Sequence, residues 1–355
     1  MKLDYRKICL VAMGTFLLTS MTSCSKEDEL RSPDFQRLVS VTDSQKTDTD
    51  KWIEENLTKP FNIEIIWRWD TKEVKYDKNY IPPKEQNVLP YAKILKNTFI
   101  KSYQEVKGNA FIKPLVPKQF LFLGEWGYNT DGTITLGQAE SGNKIVFYGV
   151  NHWDERDAEG GYPQIREAIH TLYHEFGHIL HQNKVFSKDF ENISKADYTS
   201  QWYNEANSTA IRKGFTSSYS MLSKEEDFVE IISFYCTMTP EEWTEHINSQ
   251  VASTKEGSSA REQAEEGRQK ILQKLTMIKD YMKSSWDIDL DEIRDVTLRN
   301  VEIAYKDPSI FPQSAPMISG YSAVLSPFDH NLRSCVTKGS VAAPAVSDDA
   351  RRSLH

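Results

Sequence analysis

Two histidines four residues apart, with a glutamate directly after the first, stand at His174, Glu175 and His178. On a helix, residues four apart share one face, so both imidazoles can reach one metal ion. Glu175 sits where its carboxylate can reach a water on that ion without binding the ion itself. The chemistry this suits is metal-assisted hydrolysis. Zinc with three protein ligands and an open position lowers the pKa of its water to ~7. The carboxylate takes a proton as hydroxide attacks a carbonyl, then passes it to the leaving amine. With eight histidines in 355 residues, the spacing arises by chance on the order of once in a hundred such chains.

A third ligand is required, and several residues compete for the role. A third histidine six residues after the second would fall at Lys184, so that arrangement is excluded. His181 lies one turn past His178, awkwardly placed for the same ion, and reads as a supporting or packing residue. His170 extends the stripe one turn upstream and reads as a hydrogen-bonded interior histidine. Asn204-Glu205-Ala206-Asn207-Ser208 is similar to the N-E-x-x-S-D segment of thermolysin-like enzymes, but Thr209 stands where the aspartate would be. The other candidate segment opens a helix at Glu225-Glu226-Asp227. There Glu226, Glu230, Ser233 and Thr237 form a polar stripe flanked by Phe228, Val229, Ile231, Ile232 and Tyr235. An acidic first turn suits the helix dipole, which accounts for Glu225 and Glu226 but not for Glu230. A buried helix with two glutamates on one stripe needs a partner for them, and a cation is the obvious one.

The elements that must hold these residues follow from periodicity. Asp48-Thr49-Asp50 caps a short helix with Trp52, Ile53 and Leu57. Phe61 to Trp69 alternates like a strand, and Phe120–Leu123 and Lys144–Tyr148 read as further strands between glycine-rich turns. Pro82-Pro83 precedes a helix around Tyr91 to Tyr103. After Pro163 a long helix covers Gln164 to Gln182, and helices follow at about 200–212, 225–238, 240–249, 258–284 and 288–304. Strands first and helices later predict an α+β domain. The strand at 144–148 is a candidate upper edge of the cleft, pairing with an extended substrate, or else an interior strand. His152, Trp153 and Asp154 after it either line the cleft or pack a turn.

The ends read differently. Lys2, Arg6 and Lys7 precede an apolar stretch, Ile8 to Leu18, too short to span a bilayer comfortably, and small residues lead to Cys24. This resembles a bacterial lipoprotein signal over residues 1–23, with lipid on Cys24. Residues 24–48 then form a polar tether, whose acidic Ser25 to Glu29 run resembles an outward-export signal. Residues 306–355 lose periodicity and read as an irregular or disordered tail. Of four cysteines two, Cys9 and Cys24, belong to the lipoprotein signal, so no disulfide framework is visible. The net charge of −8 and the lack of a basic stripe give no support to nucleic-acid binding.

Two resemblances narrow the choice. Ser218-Tyr219, six residues, then Glu226-Asp227-Phe228-Val229-Glu230 resembles the third-ligand segment of the anthrax lethal factor family, whose active helix also reads H-E-F-G-H. The resemblance implies metal ligands His174, His178 and Glu226, a catalytic base at Glu175, an oxyanion donor at Tyr219, and a supporting carboxylate at Glu230. More broadly, the lipoprotein start, Trp52-Ile53, Pro60 to Ile63, Arg68-Trp69-Asp70, the His174 segment and Gly214-Phe215 resemble the substrate import-associated zinc metallohydrolase lipoproteins. That family implies a zincin-like domain over residues 49–305 with one zinc ion. It further implies an outer-membrane setting beside an importer and a surface binding lipoprotein, and peptide or glycopeptide substrates. A second class stays open: a zincin-like scaffold that captures nutrients without cleaving them.

Overall fold

The computed structural model describes residues 45–68, 80–128, 134–135, 137–140, 144–155 and 163–311. The expected leader, nearly all of the tether, the end of the first strand at Trp69 and the tail beyond Phe311 lie outside them.

Helix α1 (Asp48–Ile53) runs on through a wide turn and a last short helical stretch to Phe61. Asn62 ends it in the left-handed region at φ 55°, a conformation asparagine tolerates. The expected strand is therefore cut to β1 (Glu64–Ile66), because Phe61 belongs to the preceding helix. After Pro82-Pro83, α2 (Glu85–Leu95) leads through another wide turn into α3 (Lys101–Lys107). The short α4 (Asn109–Leu115) follows, which periodicity did not show.

Four strands form the main sheet. β1, β2 (Gln119–Phe122) and β6 (Lys144–Phe147) pair in parallel, and β5 (Gly137–Glu140) adds antiparallel to β6. A small ribbon, β3 (Gly127–Tyr128) with β4 (Ile134–Thr135), stands apart. The strand at 144–147 is thus interior, between β2 and β5, and β5 and β1 are the terminal strands among the described residues. Short-range pattern cannot separate edge from interior, since both read as an apolar run.

The helices form the larger layer. Tyr91 of α2 sets its ring edge-on to Phe122 and Phe147 of the sheet, at 5.0 and 5.7 Å. Helix α5 (Pro163–Asn183) carries the expected motif. On one side its Phe176 meets Phe99 and Tyr103 at 5.4 and 4.7 Å. On the other side it crosses α8 (Lys224–Thr237), which is buried along almost its whole length. Between them come α6 (Asp189–Ser194) and α7 (Asn207–Lys213). The helix expected at 200–212 is therefore shorter. Its first part is only a turn at Trp202–Asn204, because Glu205 and Ala206 take extended backbone.

Helices α9 (Pro240–Ala252), α10 (Ser259–Trp286) and α11 (Leu290–Lys306) complete the layer, close to the expected spans. The expected tail is packed at its start. Ile310 and Phe311 are buried, and the Phe311 ring lies 4.8 Å from Tyr305 and 5.3 Å from Trp153.

Two contacts fix α8. Gly177 of α5 lies against Val229, and a Cβ built at Gly177 would stand 2.9 Å from Val229 Cγ1 and 3.1 Å from its Cβ. Behind α8, Lys274 of α10 donates to Asp227 at 2.6 Å, with both side chains fully buried. Lys274 also donates to the Gly214 carbonyl at 2.8 Å, and the Tyr198 hydroxyl donates to Asp227 at 2.8 Å. Removing one member of such a pair costs on the order of 3–5 kcal/mol, because the other charge is left buried alone.

Gly177→Ala is expected to lower stability by about 1–3 kcal/mol, since β-branched Val229 yields little. Adding Val229→Ala should recover part of the loss. Urea unfolding midpoints check this, and an unchanged midpoint for Gly177→Ala would contradict the close crossing.

The cap of α9 yields a pH prediction. Thr239 and Glu242 exchange hydrogen bonds with each other's backbone N–H, at 2.9 and 3.1 Å. Burial pushes the Glu242 carboxyl up to about 7. The folded state therefore holds this proton more tightly than the unfolded chain, and stability falls as pH rises from the ordinary glutamate range to about 7. Glutamine keeps the capping geometry without the charge. Glu242→Gln should match the wild type in Tm near pH 4.5 and exceed it increasingly up to about pH 7. A Tm difference that does not move with pH would refute the shift.

Candidate metal centre

The stripe His170, His174, His178 and His181 runs along α5 and faces α8. Glu226 lies one turn before Val229 and Glu230 directly after it, so the crossing at Gly177 sets both carboxylates against the histidines. Ser223 caps α8 by accepting from the Glu226 N–H at 3.3 Å, which fixes the first turn that carries Glu226.

Three donor atoms meet on the outer side of this crossing. Glu226 Oε2 is 3.1 Å from His174 Nε2 and 3.3 Å from His178 Nε2, and the two nitrogens are 3.2 Å apart. Ligands at 2.0–2.1 Å in a tetrahedral zinc shell stand about 3.3–3.4 Å from one another. The triangle therefore has the dimensions that zinc would require. Its electrostatics agree. Burial alone would disfavour a charged His174, yet hydrogen bonds to Glu226 and Glu230 outweigh burial and raise its pKa well above the ordinary value. A field that favours a proton there also favours a cation.

A second group of donors lies deeper: His170 Nε2, His174 Nδ1 and Glu230 Oε1. The Glu230 oxygen is 3.1 Å from His170 and 2.9 Å from His174, ordinary hydrogen-bond lengths to two N–H groups. Its other oxygen accepts from Ser217 Oγ at 2.7 Å. Side-chain exposure separates the groups. His170, His174 and Glu230 are at most 2 % exposed, whereas His178 and Glu226 each keep 14 %. Of the two groups, only the outer one keeps solvent-exposed donors among the described residues. The inner group is the hydrogen-bonded backing of His174, and it holds Glu230 well below the ordinary carboxylate range, the charges and hydrogen bonds of His170 and His174 outweighing its burial.

Glu175, next to the first histidine, is buried, and burial raises its pKa. Among the described residues its Oε1 has no hydrogen-bond partner. Tyr219 lies in a tight turn (Tyr219–Met221), buried, with its ring 5.9 Å from that of His174 and edge-on to Trp202 at 4.9 Å. The structure thus brings His174, Glu175, His178, Tyr219 and Glu226 into one neighbourhood.

The competing residues sit elsewhere in the bonding scheme. Glu205 pairs with Lys213 at 3.3 Å. His181 places Nε2 2.9 Å from His178 Nδ1, and burial lowers its pKa to about 4, so the ring is neutral near pH 7. His152 bridges Glu125 and Glu155 at 2.8 and 2.6 Å and stacks on Trp126, while Trp153 is buried against Phe311. These pack a turn.

Sequence reasoning missed Ser217, Asp227, Lys274 and Tyr198. Lys274 leaves a signal in retrospect: it lies on the apolar stripe of α10 with Ile271, Leu275 and Ile278, where a solvated lysine would not be placed. A lone serine such as Ser217 carries none.

The profile of the family described as "putative zinc-binding metallo-peptidase" matches residues 42–291. A crystal structure of a protein of the same description from Bacteroides caccae is similar over 77 % of this chain and 99 % of its own, at 26 % identity and a TM-score of 0.59. No curated protein matches the chain. The likeness supports the zincin-like α+β fold, and the profile spans α5, α8 and the crossing between them. On that extent of match, the chain belongs to this family of zinc-binding metallo-peptidases.

Proposed function

We propose that the chain is a peptidase working through one zinc ion held by His174, His178 and Glu226, with Glu175 as general base and Tyr219 as oxyanion donor. The observation that carries this reading is the open triangle of donors, 3.1–3.3 Å on its edges, beside a buried carboxylate oxygen with no partner among the described residues. Zinc at such a site acts as a Lewis acid and makes water a nucleophile near neutral pH.

The chain's own residues do the rest. Glu175 accepts the proton of the attacking water and delivers it to the leaving amine; its raised pKa brings it closer to the working pH. The Tyr219 hydroxyl donates to the oxygen on which negative charge develops. Glu230 holds the His174 ring with its Nδ1 proton toward the interior, which leaves Nε2 facing the outer triangle. β5, a terminal strand of the sheet among the described residues, lies alongside α5. An extended peptide pairing with the edge of β5 that is unpaired among the described residues would run past the triangle. A scaffold that only captured nutrients would have no use for a buried Glu175 with one oxygen unpartnered among the described residues in this position.

The lipoprotein signal ending at Cys24 supports an outer-membrane anchor facing the exterior. With the resemblance to import-associated lipoproteins, it supports cleavage of peptides or glycopeptides for uptake through a neighbouring importer and its surface binding partner.

Glu226→Ala should lose most of the zinc that the wild type carries at about one per chain, as read by elemental analysis after dialysis against a weak chelator. Zinc retained by that variant would remove Glu226 from the ligand set.

Glu175→Gln should keep its zinc and lose about 10²–10⁴-fold in turnover on a peptide library followed by mass spectrometry. Unchanged cleavage by the zinc-loaded variant would sink the general-base assignment. Tyr219→Phe, also zinc-loaded, should fall about 10²-fold in kcat with little change in KM.

A further inference from the structure

We propose that His181 is a positioning residue, which fixes the tautomer and ring orientation of His178 through one hydrogen bond and does not bind the metal. The inference rests on the reading of His178 as a ligand.

An imidazole can offer Nε2 to a metal as a lone pair only while its proton sits on Nδ1, and that N–H then needs an acceptor. For His174 the acceptor is the Glu230 carboxylate, 2.9 Å from Nδ1. For His178 the atom at the same distance from Nδ1 is Nε2 of His181. His174 and His178 therefore each have the rear nitrogen engaged, one by a carboxylate and the other by a second imidazole. His181 Nε2 serves as the acceptor in this bond, so its lone pair points at His178 and not at the triangle of donors.

The His181 ring is itself held in place. It stands edge-on to Phe186 at 5.6 Å and to Phe228 at 6.2 Å. Phe186 and Phe228 stack face to face at 4.1 Å. Phe228 lies two residues from Glu226 on α8, so the helix that supplies the carboxylate donor also locks the ring that orients His178. The i, i+3 spacing of His178 and His181 on α5 makes the contact possible, since residues three apart share a face.

Two substitutions separate acceptor from packing. His181→Phe keeps a ring of similar size against Phe186 and Phe228 but offers no acceptor. His181→Gln offers a carbonyl oxygen near the position of Nε2. Zinc affinity, measured on each full-length variant by competition with a chromophoric chelator, should weaken about 10–100-fold in His181→Phe. It should stay within a few-fold of the wild type in His181→Gln. The cobalt-substituted Gln variant should also keep the wild-type d–d spectrum.

Wild-type affinity in His181→Phe would reduce His181 to packing and overturn the proposal. Equal losses in both variants, with an altered cobalt spectrum in the Gln variant, would make His181 a ligand and overturn it as well. Glu226→Ala and His178→Ala, titrated in parallel, test the underlying ligand set. If both bind zinc like the wild type, that reading fails whatever His181 does.

Discussion

Helices α5 and α8 cross where Gly177 has no side chain and Val229 fills the space, and the distances of the metal centre follow from that crossing. His174 and His178 lie on either side of Gly177, and Glu226 and Glu230 on either side of Val229. A close approach at the middle places one carboxylate across the outer pair of histidines and the other across the inner pair. A wider crossing would pull Glu226 out of the 3.1–3.3 Å range that makes the triangle suit zinc. The aromatic cluster behind α5 presses it toward α8, and the Asp227–Lys274 pair holds α8 from its far side. Sheet, outer helices and buried ion pair thus act on a single interhelical distance.

The same region gathers four acidic side chains, each with its charge met differently. Glu230 accepts from His170, His174 and Ser217. Asp227 has Lys274 and Tyr198. Glu226 lies against two histidine nitrogens, whose hydrogen bonds outweigh burial and hold it below the usual carboxylate range. Burial raises the pKa of both Asp227 and Glu175, and each keeps one oxygen unpartnered among the described residues, but Asp227 is paired with Lys274 while Glu175 adjoins His174 of the outer triangle. A fully satisfied carboxylate is a poor proton acceptor, since each hydrogen bond stabilises its charged form.

Much of this was legible from residue types and spacing. The histidine pair and Glu175 follow from helical geometry, and the long helices fall within a few residues of their expected ends because their caps and apolar stripes are strong. Local pattern misled where two elements met. Phe61 reads as strand by alternation but is captured by the helix before it, and the 144–147 run gives no sign of which side pairs with β5. Glu205 and Glu226 could not be separated by sequence spacing alone, because that choice depends on which helix crosses α5. The buried partners Ser217, Asp227 and Lys274 come from segments up to 60 positions from the residues they hold. Only the folded arrangement brings them together.

The Asp227–Lys274 pair has no solvent exposure, unlike surface pairs such as Lys224–Glu191, whose side chains are 36 % and 30 % exposed. Dissolved ions screen exposed charges within about a nanometre at moderate salt, but they do not reach a contact sealed inside the protein. The brace behind α8 is therefore screened far less by salt than a surface pair. The geometry of the centre is thus tied to an attraction that changes in salt concentration leave almost unaltered.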